Sequence, residues 1–250
     1  MRKRNDAFAV VAGNAPVLAE ETLCAVFSHV VRLPMDGDIA SPVSFHPDMI
    51  FSVVGDVLVT HWNYYSDLRG KESIDRICSL GGFRLVLSAM DRGADYPRDV
   101  GFNGLVIPEK KVLIGKTDAL SSSLLETARK MGFESVSIKQ GYTACSALYV
   151  PWGNLVCTAD SGIALACERS GIDVVRISCD TGIVLPGYDC GFIGGCTGVW
   201  EDAVYFFGDP LEQPGLSPLC TALRERGIDA VSLMDGILTD YGGIRIFPLR

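Results

Sequence analysis

The chain has 250 residues, of which 48% are hydrophobic and 21% are charged. This composition excludes intrinsic disorder, which requires few apolar residues and a high charge density, and a chain of this length can bury a large core. Thirty acidic and 22 basic residues give a net charge of −8. Such a surface repels nucleic acid unless its basic residues are segregated, and the longest basic run is only Arg2–Arg4. We therefore expect no nucleic-acid partner.

Neither a membrane segment nor a structural disulfide is expected. No uninterrupted apolar run approaches the roughly 20 residues that span a bilayer. The basic start and the apolar run 7–12 are typical of the beginning of a signal peptide, but this run is shorter than the roughly 7–15 residues of a secretory segment. The nine cysteines are odd in number and have no Cys-x-x-Cys spacing. A chain with a large core does not depend on disulfides, which favours reduced thiols and a cytoplasmic location.

One short signature, in most copies an Asp followed closely by Gly, recurs along the chain. Its five copies occupy residues 35–37, 90–93, 139–141, 179–182 and 234–236. The copies lie about 50 residues apart, and the interval from the last copy through the C-terminus to the first has a similar length. A fixed period of this length is typical of a repeat architecture. Its continuation across the two ends predicts a ring.

The same elements recur between the signatures. A hairpin follows the signature, and we predict hairpins at 49–60, 105–114, 148–157 and 198–207. A helix comes next, and four helices end in a glycine suited to the left-handed C-cap, namely Gly82, Gly132, Gly171 and Gly227. A β-rich segment then precedes the next signature, at 30–33, 84–87, 135–138, 174–177 and 230–233. The fifth hairpin is divided between the termini, so we expect 244–247 to pair with 7–11.

These patterns predict an α/β protein in which residues 1–250 form a single domain of five ββαβ units. A cycle of such units resembles the pentein, or guanidine-modifying enzyme, superfamily. Two segments are similar to those of dimethylarginine dimethylaminohydrolases: Asp235–Thr239 resembles the segment that leads to their nucleophilic cysteine, and Phe45–Asp48 resembles the segment with their first guanidinium-binding acid. The resemblance implies a five-bladed α/β propeller, a pseudo-five-fold closed ring sealed by its terminal strands. It also implies a central site for a small guanidino or other cationic molecule.

The sequence departs from this superfamily at both positions of its usual Cys–His pair. Where the family has its cysteine, after Leu238 and Thr239, this chain has the segment 240–243, which begins with Asp240. Where the family has its histidine, this chain has the segment 141–146, which contains Cys145 and no histidine. The standard arginine deiminase and dimethylargininase activities therefore do not follow from the resemblance.

The candidate site residues belong to the loops that would converge on the centre of the ring. Cys145 or Cys196 is the predicted nucleophile and His46 its acid–base partner, because a thiol reacts as the thiolate and a nearby imidazolium lowers its pKa. Asp48 and Asp99 are predicted to bind substrate, since a carboxylate matches the planar donors of a guanidinium group. The other predicted substrate contacts are Asn103, Gln140 and Tyr142. Zinc-site spacings and glycine-rich nucleotide motifs are absent from the sequence, so we expect no metal and no cofactor.

Each candidate also has a structural interpretation. Most cysteines, Cys179 among them, are expected to be small buried residues on helices or strands. His46 alternatively bonds Asp48 and fixes its loop, Asp99 alternatively pairs with an arginine at the surface, and Asp36 of the first signature is expected to stabilise a turn. The sequence thus supports two functions: a thiol-dependent hydrolase or deiminase acting on a guanidino or amidine compound, and a non-catalytic pentein that binds a small cationic ligand or a protein partner.

Overall fold

The computed structural model describes residues 3–178 and 182–250. In chain order its helices and strands are β1 (Arg4–Ala12), α1 (Val17–Val26), β2 (Phe27–Leu33), α2 (Pro47–Ile50), β3 (Phe51–Val54), β4 (Val57–His61), α3 (Trp62–Ser66), α4 (Leu68–Gly81), β5 (Arg84–Ser88), β6 (Leu105–Ile107), β7 (Val112–Gly115), α5 (Ser122–Lys130), β8 (Glu134–Ser137), β9 (Ala147–Val150), β10 (Leu155–Thr158), α6 (Ser161–Arg169), β11 (Asp173–Arg176), β12 (Thr197–Trp200), β13 (Ala203–Phe206), α7 (Ser217–Glu225), β14 (Asp229–Ser232) and β15 (Arg245–Pro248). Most of the fourth signature, including Cys179, lies outside the described residues. Within the described ranges, none of the helices has the length and apolarity that crossing a bilayer requires.

The strands form five three-stranded sheets with a common plan. Their strand orders are β15–β1–β2, β3–β4–β5, β6–β7–β8, β9–β10–β11 and β12–β13–β14. In each sheet the central strand pairs antiparallel with one neighbour and parallel with the strand that follows a helix. The first sheet joins the two ends of the chain, with Phe247 of β15 opposite Phe8 of β1. The α/β class, the five units and the pairing of the terminal strands agree with the prediction.

The core consists of apolar clusters between sheets, and the central strands belong to two clusters each. In β4, Leu58 packs in the cluster shared with the β1 sheet, whereas its neighbour Val59 packs in the cluster shared with the β7 sheet. Successive side chains of a strand point to opposite faces, so both faces of each central strand are buried. Such strands read as nearly continuous apolar runs, as β4 and β13 do.

The helix ends follow the local chemistry of the sequence. Asp67 precedes α4, and its carboxylate accepts hydrogen bonds from the backbone N–H groups of Arg69 and Gly70. Gly82 ends the same helix in the left-handed conformation, with φ +63°, where a side chain would be strained. The other predicted terminating glycines also have positive φ, namely Gly132, Gly171 and Gly227. The four predicted helix ends are confirmed.

Each sheet has one strand that pairs antiparallel with its central strand, and loops that lead into these strands meet in a separate cluster. Met49 precedes β3, Val100 precedes β6, Cys145 precedes β9 and Leu185 precedes β12, and these side chains pack together with Val43. A buried ion pair fixes two of these loops: Arg92 Nη1 lies 2.7 Å from Asp36 Oδ2, and both side chains are at most 2% exposed. Asp36 therefore does more than stabilise a turn.

Candidate active site

A cavity of about 230 Å³ lies where these loops meet, and we call it the site cavity. His46, Cys145 and Asp240 line it, each from a different loop. The other lining residues are Val43, Tyr142, Leu185, Tyr188, Asp189, Cys190 and Phe192. Two of the predicted catalytic residues, His46 and Cys145, are therefore brought to one cavity.

Cys145, Asp48 and Asn103 form a hydrogen-bonded group beside this cavity. The Cys145 thiol donates to Asp48 Oδ2 over 2.8 Å, and Asn103 Nδ2 donates to Cys145 Sγ over 3.0 Å. Asn103 Oδ1 accepts from the backbone N–H groups of Ala144 at 2.8 Å and Cys145 at 3.2 Å, which settles the orientation of the amide. Asn103 therefore holds the cysteine loop and aims its thiol at the Asp48 carboxylate.

Asp240 is the second buried carboxylate of the site, and backbone groups hold it in place. Its Oδ2 accepts from the Phe192 N–H and its Oδ1 from the Gly242 N–H, both at 2.9 Å. His46 Nδ1 lies 3.7 Å from Asp240 Oδ1, too far for a hydrogen bond, and this nitrogen is buried with no hydrogen-bond partner in the described part of the chain. Glycine is required beside this carboxylate, because a Cβ on Gly195 would lie 1.9 Å from Asp240 Oδ1.

Burial dominates the protonation of these groups. It raises the pKa of Asp48 to about 6 and, with added repulsion from Asp48, the pKa of Asp240 to about 7. Burial lowers the pKa of His46 to about 4. It also raises the pKa of the Cys145 thiol well above its ordinary value, and the charges of Asp48 and Asp240 raise it further. At neutral pH the resting site therefore holds a neutral imidazole and a protonated thiol, unlike the imidazolium–thiolate pair that the sequence argument assumed.

Three of the predicted substrate contacts lie behind the cavity wall. Asp48 and Asn103 are not among the residues that line the site cavity, and both are buried at 1% and 0% exposure. Asp99 is also fully buried, and its Oδ2 accepts from the Tyr142 hydroxyl over 2.7 Å, so it does not pair with an arginine at the surface. These three residues position Cys145 and Tyr142, and a ligand in the site cavity contacts them only through those side chains.

Gln140 and Tyr142 have different positions. Tyr142 lines the site cavity, and its ring stacks on Phe192 with the centroids 6.3 Å apart. Gln140 Oε1 accepts from the Tyr142 N–H over 3.1 Å, and the side chain borders a separate cavity of about 160 Å³. The structure thus keeps Tyr142 as a candidate contact and gives Gln140 a role in its loop.

Cys196 lies in the core and not in the site cavity. Its thiol donates to the Ile193 carbonyl over 3.2 Å, and the side chain is fully buried in the cluster between the β10 and β13 sheets. Burial raises its pKa well above the ordinary value. We therefore assign Cys196 to packing, the structural interpretation of a buried cysteine. No group of three or more His, Cys, Asp or Glu side chains suited to a metal ion occurs among the residues that the structure describes.

Asp240, Asp189 and Tyr188 belong to the loops that the sequence predicts at the centre of the ring, but no role was predicted for them. Leu185 and Phe192 were not predicted as site residues. A signal was available for Asp240, because it occupies the position where the resemblance places a cysteine. Asp189 and Tyr188 are exposed residues of the long segment between the fourth signature and β12. No spacing in that segment indicates which of its side chains face the cavity.

Comparison with known proteins identifies the family of this chain. Residues 10–245 match the model of the family of unknown function DUF6873. The chain belongs to this family. No curated protein matches it.

The DUF6873 chain is similar in structure to several solved enzymes. A variant of dimethylarginine dimethylaminohydrolase from Pseudomonas aeruginosa, complexed with citrulline, matches with a TM-score of 0.54 and 10% identity over 92% of each chain. The amidinotransferase SxtG from Microseira wollei, of the saxitoxin pathway, has a TM-score of 0.55 and 10% identity over 100% of this chain and 96% of its own. The cyanobacterial arginine dihydrolase ArgZ has a TM-score of 0.54 and 15% identity over 91% of this chain and 36% of its own. The resemblance to penteins is confirmed at the level of the α/β fold.

Proposed function

We propose that the five sheets form a closed five-bladed pentein ring, a single domain over residues 1–250, with the site cavity on its axis. The apolar clusters support this arrangement, because they join the β1, β4, β7, β10 and β13 sheets in succession and the last sheet to the first. A second cavity supports it too. It is lined by β15, β3, β6, β9 and β12, the strands that pair antiparallel with the central strands of the five sheets. The eight cysteines within the described residues are free, which favours a cytoplasmic location.

The site cavity binds a small cationic guanidino or amidino compound. The observation that carries this proposal is the buried Cys145–Asp48 contact of 2.8 Å, next to a second buried carboxylate, Asp240. Asp189 and Asp240 line the described part of the cavity and no Lys or Arg does. A guanidinium ion pairs well with carboxylates, and its charge restores their ionisation by lowering the raised pKa values.

The same lining disfavours a ligand that carries a carboxylate at its other end. Such a group would meet the exposed Asp189 and the rings of Tyr142, Tyr188 and Phe192, with no cationic side chain among the described lining residues. An amine or an uncharged tail avoids the repulsion. We therefore favour a guanidino compound with an amine or apolar tail over an amino acid.

The bound cation would also activate the thiol. Its charge opposes the two carboxylates that raise the pKa of Cys145, so the proton passes to Asp48 and the thiolate attacks the amidine carbon. A proton on Asp240, the buried carboxyl group that lines the cavity, passes to the leaving nitrogen, the C–N bond breaks, and an amine or ammonia departs from a thiouronium intermediate. Water then attacks this intermediate, His46 accepts one of its protons, the other passes to the solvent, and the C–S bond breaks to release a ureido product. The thiolate regains its proton from Asp48, and His46 returns the accepted proton to Asp240.

A non-catalytic role in binding the same ligand is the second candidate. Two observations favour it: His46 Nδ1 has no hydrogen-bond partner in the described part of the chain, and the raised pKa of Cys145 keeps the resting thiol protonated. The two roles share the ligand class and differ in turnover. A protein partner, the other form of this alternative, has no comparable support from the geometry of the site cavity.

The test uses agmatine, butylguanidine and 5-guanidinopentanoate, three guanidino compounds with equal alkyl spacers and amine, uncharged or carboxylate ends. Titration calorimetry is expected to give tighter binding for the first two than for the carboxylate, and mass spectrometry is expected to detect ureido products. Cys145→Ser should abolish turnover and retain binding. Cys24→Ser, which changes an exposed thiol on α1, is the matched control and should retain both.

The outcomes separate the candidates. Binding without turnover selects the non-catalytic role. Turnover that survives Cys145→Ser contradicts the thiol mechanism. Failure of all three compounds to bind overturns the proposed ligand class.

A further inference from the structure

A second and larger cavity lies apart from the site. It measures about 380 Å³, shares no lining residue with the site cavity, and we call it the strand cavity. In each sheet the strand that pairs antiparallel with the central strand lines this cavity. The lining residues include Ser52, Val106, Leu148, Gly198 and Ile246. These strands are edge strands of their sheets, so part of their backbone N–H and C=O groups lie outside their own ladders.

The strand cavity is basic in an acidic protein. Its lining contains Arg245 and Arg250 and no Asp or Glu, although the chain carries a net charge of −8. Arg245 is half-buried on β15, and its side chain makes no hydrogen bond or ion pair within residues 3–178 and 182–250. Its charge is felt by Asp48, whose pKa it lowers.

Other arginines with buried or half-buried side chains in the described chain pair with carboxylates. Arg92 pairs with Asp36, Arg4 with Glu201 and Asp202, and Arg32 with Glu20. A guanidinium group removed from water without a partner is costly. Arg245 therefore differs from these arginines in facing a cavity with its donors available.

We propose that the strand cavity is a binding site for a small oxyanion, a phosphate or a carboxylate, held by Arg245. The planar donor fork of a guanidinium group matches the oxygens of either anion. The Ser52 hydroxyl and the edge-strand N–H groups are further donors around the same space. The volume lies within the range of about 300–1,000 Å³ that small-molecule sites occupy.

The first experiment titrates the wild-type protein and three variants with inorganic phosphate and, separately, with malonate by calorimetry. We expect saturable binding of one anion per chain, and the tighter of the two probes identifies the class. Arg245→Gln should weaken binding at least tenfold, which is about the effect of losing one charged hydrogen bond, and Arg245→Lys should weaken it less. Arg129→Gln removes an equal charge from an exposed position on α5 and should leave the affinity unchanged.

The second experiment uses only the wild-type protein, so it is informative even when an Arg245 variant does not fold. Titration with phosphate followed by amide NMR should shift the signals of Ser52, Leu148 and Ile246 in the strand cavity, and leave those of Tyr142 and Leu185 in the site cavity. Absence of saturable binding by both anions, affinity that survives Arg245→Gln, or shifts confined to the site cavity would each overturn the proposal. None of these outcomes depends on the proposed activity at Cys145.

Discussion

Asp240→Asn tests the electrostatics of the site through the stability of the fold. The carboxyl group is 2% exposed, and burial together with repulsion from Asp48 raises its pKa from 3.8 to about 7. A raised pKa means that the folded state favours the protonated form. Stability is therefore complete below pH 3.8 and is lost as the pH rises toward 7, where the ionised carboxylate costs the folded state about 4 kcal/mol at 1.36 kcal/mol per pKa unit.

The asparagine variant does not carry this cost. Between pH 4.5 and pH 8 the wild type should lose about 3 kcal/mol of stability relative to Asp240→Asn. The variant also loses one acceptor for the Phe192 or Gly242 N–H, a cost of about 1–3 kcal/mol that is present at both pH values. The comparison of the two pH values removes that constant cost.

The assay is urea unfolding of both proteins at pH 4.5 and pH 8, followed by tryptophan fluorescence. Asp118→Asn is the control of opposite sign, because a hydrogen bond from Lys116 lowers the pKa of that exposed carboxyl group. Its small effect should be a loss of stability that is nearly the same at the two pH values, because both lie above the ordinary pKa of 3.8 and the lowered one. A difference between wild type and Asp240→Asn that is the same at both pH values would refute the reasoning.

Three further predictions concern packing and thiol reactivity. Arg92→Met leaves Asp36 as an unpaired buried charge and should cost about 3–5 kcal/mol in urea unfolding, and the double variant with Asp36→Leu should recover part of this loss; a single-variant cost under about 1 kcal/mol would contradict a buried pair. Gly195→Ala brings a Cβ against the Asp240 carboxylate and should lower the free energy of unfolding by about 1–3 kcal/mol. The same variant should weaken binding of the guanidino ligand. At pH 7.5, iodoacetamide should modify Cys145 more slowly than the exposed thiols, because burial and two carboxylates raise the pKa of the Cys145 thiol. Peptide mass spectrometry measures the rates, and rapid modification of Cys145 would show that its pKa is not raised.

The fold could be predicted from the sequence because each unit repeats the same physical requirements. A central strand buried on both faces requires a short apolar run, as in β13 (Ala203–Phe206). A helix that turns back to the sheet requires a residue with positive φ, which Gly82 and Gly227 supply. These requirements are local, so they are visible in the order of residues, and their repetition predicted both the five units and the pairing of the chain ends.

The depth of side chains in the site could not be predicted in the same way. The sequence places Asp48 and Cys145 in converging loops, but it does not indicate which of them faces the cavity. In the structure Cys145 lines the cavity and Asp48 lies behind it, joined by the 2.8 Å hydrogen bond. That order depends on the Asn103 amide. Its oxygen accepts a hydrogen bond from the backbone of the Cys145 loop, and its nitrogen donates one to the Cys145 thiol that lies beside Asp48. Long-range contacts of this kind leave no periodic signal.

The glycines near Cys196 illustrate a second reason. A glycine-rich segment such as the one around Cys196 indicates that the backbone closely approaches a neighbouring group, but it does not indicate which group. The structure identifies a neighbour of this backbone as the Asp240 carboxylate, which a Cβ on Gly195 would displace, while Cys196 packs in the core. The signal for close approach was real, and the partner came from another loop of the chain.

The position of Asp240 connects these observations. The resemblance places a cysteine there, and this chain has a carboxylate that lines the same cavity as the Cys145 thiol of another loop. Because loops that precede equivalent strands line this cavity, a thiol from the Cys145 loop reaches the space beside Asp240, and the proposed thiol chemistry does not require a cysteine at position 240. What changes is the environment of the thiol. Cys145 faces two carboxyl groups with raised pKa values and no imidazolium, so the reactivity of its thiol should depend on a bound cation and not on His46.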